Sequence, residues 1–235
     1  MDQSCRGRFK YCIDMVLCMD VSKSMMPYMC TVKELAVRLP NELDCWMRAK
    51  GKTISQFRVK ILIFCNDAAN KENAVQMTDF FNYLTRQDEF GHLVNTIVVD
   101  GGGDKSECGL EALAYAMASD WVRPTAEIKY RQIIALWSDS APGKLAFSNS
   151  LARHRLQIPS TFQELTAWWG DNPNGSTAKM HYGAKRLLLF APDEKHWNTI
   201  NESWDNVIPV RSAVGQGLSE QDFREIVTLL IDVDA

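Results

Sequence analysis

The stretch "YCIDMVLCMDVSKSMM" (residues 11–26) enters as a strand and leaves on an acid. "YCIDMVLCM" (11–19) is short, mostly apolar and closed by a turn, the pattern of a buried strand. The continuation sets Asp20, Ser22 and Ser24 at alternate positions. Two readings of it stand. The Ser24 hydroxyl caps the helix that follows, a contribution of about 1 kcal/mol. Or the acid and the hydroxyls gather as oxygen donors for a small hard cation.

Outward from this stretch, strands alternate with helices. Residues 26–50 carry Val32, Leu35, Ala36, Leu39, Leu43, Trp46 and Met47 at helical spacing. Pro40 is expected to kink or divide that helix, and Gly51 to stop it. "QFRVKILIF" (56–64) is a strand with Phe57, Val59, Ile61 and Ile63 on one face. "AVQMT" (74–78) is an edge strand, 86–99 and 107–121 are helices, and "RQIIALWSD" (131–139) is a buried strand. A helix over 160–170 capped by Ser160, a strand over 184–192, a short helix at 193–200, a last strand at 206–210 and a helix over 219–231 capped by Ser219 complete the pattern. Such alternation predicts an open, mostly parallel α/β sheet with helices on both faces. Residues 1–9 read as an N-terminal extension and 10–235 as one domain, with 143–183 a long excursion within it.

Composition narrows the function classes. The 235 residues are 46% hydrophobic and 23% charged, with a net charge of −3. That balance gives no general pull toward nucleic acid or an anionic membrane. No apolar run approaches the roughly 18–20 residues of a membrane helix, and "MDQSCRGRFK" (1–10) does not read as a signal peptide. Seven scattered cysteines, all in the first half, fit a reduced cytoplasmic protein.

In an open parallel sheet, ligands bind beyond the carboxyl ends of the strands. Asp20 ends the first strand, Asp139 ends the strand over 131–139, and Asp104 and Glu107 lie between "GGG" (101–103) and a helix. One edge is therefore expected to collect all four acids. A carboxylate with two neutral hydroxyls suits Mg²⁺, which prefers oxygen ligands in octahedral geometry. Such a set leaves the ion electrophilic, with a position open for a partner's carboxylate. The acid-x-hydroxyl-x-hydroxyl pattern is weak by itself, and the helix-cap reading remains open beside it.

Taken together, "MVLCMDVSKSM" (15–25), "VVDGGGDKSECGLEALAYAM" (98–117) and "IIALWSDSAP" (133–142) resemble, in order, the conserved stretches of a von Willebrand factor type A domain with a metal-ion-dependent adhesion site. The resemblance implies a Rossmann-like three-layer α/β/α fold. It implies that Asp20, Ser22 and Ser24 form the first ligand group, with both serines as direct ligands. Glu107 takes the place of a glutamate found in integrin β subunits. Asp104 either reaches the ion or serves a neighbouring cation, and Asp139 holds metal-bound water. The threonine that many members supply from a second loop has no counterpart. The implied cofactor is Mg²⁺, with Mn²⁺ or Ca²⁺ favoured as more carboxylates join. The implied function is a non-enzymatic interaction module that binds a partner's Asp or Glu. Intracellular relatives of this kind work in ATPase, kinase or stress-response assemblies.

Other features carry less. Trp168-Trp169 reads as one packed and one partly exposed ring rather than a partner anchor. His92, His154, His181 and His196 lack paired ligand spacing, and "GQG" (215–217) lacks the strand and helix of a nucleotide fingerprint. Neither a phosphate-binding loop nor a Gly-x-Ser-x-Gly elbow is present. A haloacid-dehalogenase-type phosphatase needs a second Asp where Ser22 stands. Lys23 reads as solvent-facing. Two rivals to the interaction module remain: a metal-dependent hydrolase, which lacks a candidate base, and a scaffold whose metal site is degenerate.

Overall fold

A computed structural model describes residues 10–65, 75–99, 108–123, 125, 128–143, 145, 158–170, 177–210 and 220–231, without the side chains of 220, 221, 223 and 231. Its centre is β1 (Lys10–Asp20), buried from Tyr11 to its end. It lies parallel between β2 (Thr53–Phe64) and β5 (Ile128–Trp137). β3 (Val75–Met77) and β4 (Phe81–Asn82) pair antiparallel with β2. On the other side β6 (Lys185–Phe190) and β7 (Val207–Pro209) continue the sheet in parallel. The order β3-β2-β1-β5-β6-β7, with β4 also on β2, makes a seven-stranded, mostly parallel, mixed sheet.

The alternation of side chains along β1 divides the core in two. Ile13, Met15, Leu17 and Met19 pack with α1 (Met29–Ala49), α2 (Gln87–Thr96) and α6 (Glu220–Ile231). Val16 and Cys18 point the other way, toward α3 (Gly109–Met117), α4 (Phe162–Trp169) and α5 (Lys195–Ser203). Apolar residues on both faces are what a strand covered by helices on both sides requires. The expected α/β class with a mostly parallel sheet is therefore observed.

Local departures have physical reasons. α1 runs as one helix through Pro40 rather than dividing there. Pro40 is itself buried, in line with Val32, Leu35, Leu39, Leu43 and Met47. Burial of that side outweighs the hydrogen bond that a proline nitrogen cannot donate. α1 stops as expected, with Gly51 in the left-handed region at φ +66°. The N-cap of α4 is Thr161, not Ser160: its side chain accepts from Glu164 N, while Ser160 N and Oγ both donate to Glu164 Oε2. Reciprocal bonds like those of a capping box, here returning to the residue before the cap, explain the one-residue difference. Ser219, the expected cap of α6, lies outside the described residues.

Candidate functional site

The register of the sheet brings the site together. Met19 of β1 stands level with Trp137 of β5. The next residues, Asp20 and Ser138, therefore meet at the carboxyl edge. Ser138 Oγ donates to Asp20 Oδ2 at 2.8 Å. Ser22 N donates to Asp20 Oδ1 at 2.9 Å. This side-chain imitation of a backbone turn is how an Asp bends the chain away from a strand. The turn runs into a short 3₁₀ helix, Lys23–Met25.

That geometry decides what the serines do. α1 begins after Tyr28, with no side-chain cap. Ser24 lies within the 3₁₀ turn, where its hydroxyl donates to Asp139 Oδ1 at 2.9 Å and lies 3.0 Å from Ser22 Oγ. The capping reading of Ser24 is thus overturned. A hydroxyl has one proton. Ser24 gives its proton to Asp139, so Ser22 donates to Ser24. The Ser22 oxygen keeps its lone pairs uncommitted by this bond.

Asp20 and Ser22 are buried, Asp139 is half-buried, and Ser24 and Lys23 are exposed. Burial pushes the Asp20 carboxyl up from its usual range, and the Asp139 charge adds to the rise. Bonds from Ser22 and Ser138 act in the opposite direction. Two carboxylates with this mutual repulsion would be relieved by a cation. The donor set is entirely oxygen, which fits Mg²⁺ better than a soft metal. The buried Ser140 hydroxyl, one residue past Asp139, has no hydrogen-bond partner. It adds an unsatisfied polar atom beside these donors.

Of the six expected site residues, Asp20, Ser22, Ser24 and Asp139 form one hydrogen-bonded group. Asp104 and Glu107 lie outside the described residues. Ser138 was missed. Its side chain matters because of the strand register, and the only signal was its place between a strand end and Asp139. Trp169 is buried and Trp168 half-buried, as the sequence suggested. His92 and His181 are exposed, His196 packs against Phe162, and His154 and "GQG" (215–217) lie outside the described residues.

No family model and no curated protein sequence matches the chain. Among solved structures, proximal thread matrix protein 1 from the mussel byssus is similar over 96% of this chain and 49% of its own, with 13% identity and a TM-score of 0.50. Pilus adhesin SpaC from Lactobacillus rhamnosus GG is similar over 93% of this chain and 30% of its own, with 14% identity and a TM-score of 0.49. This chain thus spans about half or less of those proteins, and the likeness concerns the fold alone.

These findings correct the family expectation. No family model matches, the thread matrix protein is alike in fold alone, and the sheet is mixed, so assignment as a von Willebrand factor type A domain is not upheld. The metal-ion-dependent adhesion site expected with it is corrected too. Among the described residues there is no group of three or more His, Cys, Asp or Glu that could hold a metal. Among the described residues the group has two carboxylates, Asp20 and Asp139, with serine hydroxyls between them. No helix among the described residues is long and apolar enough to cross a membrane.

Proposed function

We propose that this domain is a non-catalytic interaction module whose sheet edge binds a divalent cation through Asp20, Ser22, Ser24 and Asp139. Mg²⁺ is the first choice, with Mn²⁺ and Ca²⁺ as alternatives. An Asp or Glu of a protein partner completes the coordination. One observation carries the reading: the Ser22 amide holds buried Asp20, and the Ser22 and Ser24 hydroxyls run on to half-buried Asp139. Its buried end supplies fixed charge, and its exposed end leaves an approach for a carboxylate. The partner is defined by that chemistry alone.

Two roles divide among the chain's own groups. Ser138 and the Ser22 amide orient Asp20 by spending one bond on each of its oxygens. Ser24 and Ser22 supply neutral oxygen, so the ion keeps most of its charge for the incoming acid.

A second reading is favoured by the same bonds. The two serines and Asp139 satisfy one another, as they would in a scaffold that holds no ion. Calorimetric titration of chelator-stripped protein with Mg²⁺, Mn²⁺ and Ca²⁺ separates the two. The cation module predicts saturable binding that is lost in Asp20→Ala. Absence of saturable heat for all three ions favours the scaffold.

A further inference from the structure

We infer that Trp197 is a positioning residue for the site, acting on it through the turn over residues 138–140. Trp197 is fully buried on α5. Its Nε1–H donates to the Ser140 carbonyl at 3.0 Å. Ser140 N in turn approaches Ser138 Oγ at 3.5 Å, and Ser138 Oγ donates to Asp20. The residue between them, Asp139, accepts from Ser24. A single indole thus fixes the turn that supplies one site carboxylate and orients the other.

The same ring reaches a second element. A Cβ added at Gly109, the first residue of α3, would stand 2.7 Å from Trp197 Cζ2 and 2.8 Å from Cη2. Gly109 is helical, a setting that ordinarily favours alanine over glycine. Its use there is explained by space for the indole. Pro142 also lies close, 3.6 Å from that Cβ position. Trp197 is therefore wedged between the chain leaving β5 and the start of α3. Filling the core needs only a large apolar side chain. Donating to Ser140 needs the indole nitrogen, and this is what separates a positioning role from packing.

The inference rests on the proposed cation binding. Its test titrates Mg²⁺ into the full chain by calorimetry, beside thermal melts. The variants are Trp197→Phe, which keeps a ring and deletes the N–H, and Gly109→Ala, which keeps the N–H and displaces the ring. Trp204→Phe is the control. Trp204 is also buried, and its Nε1–H donates to Thr166 at 3.1 Å, with no bond to the 138–140 turn. Mg²⁺ affinity is expected to fall about tenfold in both Trp197→Phe and Gly109→Ala, the usual effect of losing a group that orients metal ligands. Trp204→Phe should lose thermal stability and keep its affinity. If Trp197→Phe does not fold, Gly109→Ala carries the test. Wild-type affinity in the folded variants overturns the positioning role alone. Equal loss in Trp204→Phe also overturns it, by making the effect one of general destabilisation. No Mg²⁺ binding by the wild type overturns the cation reading and this inference with it.

Discussion

Ser24 and Asp139 are 115 positions apart in the chain and share a 2.9 Å hydrogen bond from hydroxyl to carboxylate. The bond ties the turn after β1 to the turn after β5. Both partners lie toward the solvent side of the group, so the bond belongs to the site more than to the core.

Ser24→Ala tests that distinction. Ser24 is exposed, and its loss should change stability by less than about 0.5 kcal/mol. Mg²⁺ affinity should fall at least about tenfold, since an oxygen donor disappears along with the orientation of Asp139. Urea unfolding in chelator and calorimetry on the same preparation read the two effects separately. A large stability loss with unchanged affinity would return Ser24 to a structural role.

Asp20→Asn should stabilise the cation-free protein at neutral pH, by about 1 kcal/mol. The amide oxygen can still accept from Ser22 N, and its NH₂ can donate to Ser138 Oγ. The buried charge and its repulsion with Asp139 are removed. The raised carboxyl of Asp20 means that the folded state holds this proton more tightly than the unfolded chain. This residue's cost to stability is therefore present in full above the raised value. It fades as pH falls toward the ordinary carboxylate range. Urea midpoints of wild type and variant, measured in chelator, should differ most near neutrality and converge in acid. A constant difference across pH would contradict the assignment.

Arg58→Ala should destabilise the protein by about 3 kcal/mol. Arg58 Nε and Nη2 donate to Asp14 Oδ1 and Oδ2 at 2.8 and 2.7 Å. Asp14 is buried, and its other hydrogen bond is with Val122 N at 2.7 Å. Truncation leaves that carboxylate in the core without its cation. Arg58→Ala with Asp14→Asn should recover part of the loss, and denaturant unfolding of the single and double variants measures it. Full additivity would mean that the pair does not act as a unit.

Two glycines with positive φ should respond differently to alanine. Gly51 at φ +66° has open space around a Cβ, so only the backbone preference is lost, about 1 kcal/mol. Gly170 at φ +73° would set its Cβ 2.5 Å from Ala178 Cβ and add a steric clash. Melting temperatures should rank wild type, Gly51→Ala and Gly170→Ala in descending order. The reverse order would show that residues 177–178 yield easily.

The elements that were legible in the sequence are those whose burial leaves a pattern. β1 and β2 read correctly because apolar residues crowd one short run, and α1 because its buried side repeats at helical spacing. β4 was missed, since two residues paired with Arg58 and Val59 leave no periodicity. The site was half legible. Asp20 and Asp139 stand at strand ends, where an edge ligand would sit. Whether Ser24 caps a helix or faces Asp139 depends on a contact across 115 positions, which local spacing does not contain. Ser138 depends in the same way on how β1 and β5 align. The family resemblance went further than the comparisons and the mixed sheet support, because short strand-and-turn stretches can recur on α/β sheets without shared descent.

The borders of the sheet have a consequence for crowding. The outer side of β2 is divided between β3, three residues long, and β4, two residues long. At the opposite border β7 is three residues long and ends on Pro209, which has no amide hydrogen to offer. An extended peptide searching either described border finds too little ladder to grow on. The design guards against strand-by-strand polymerisation at high concentration, and it leaves contacts with other chains to side chains rather than to shared backbone.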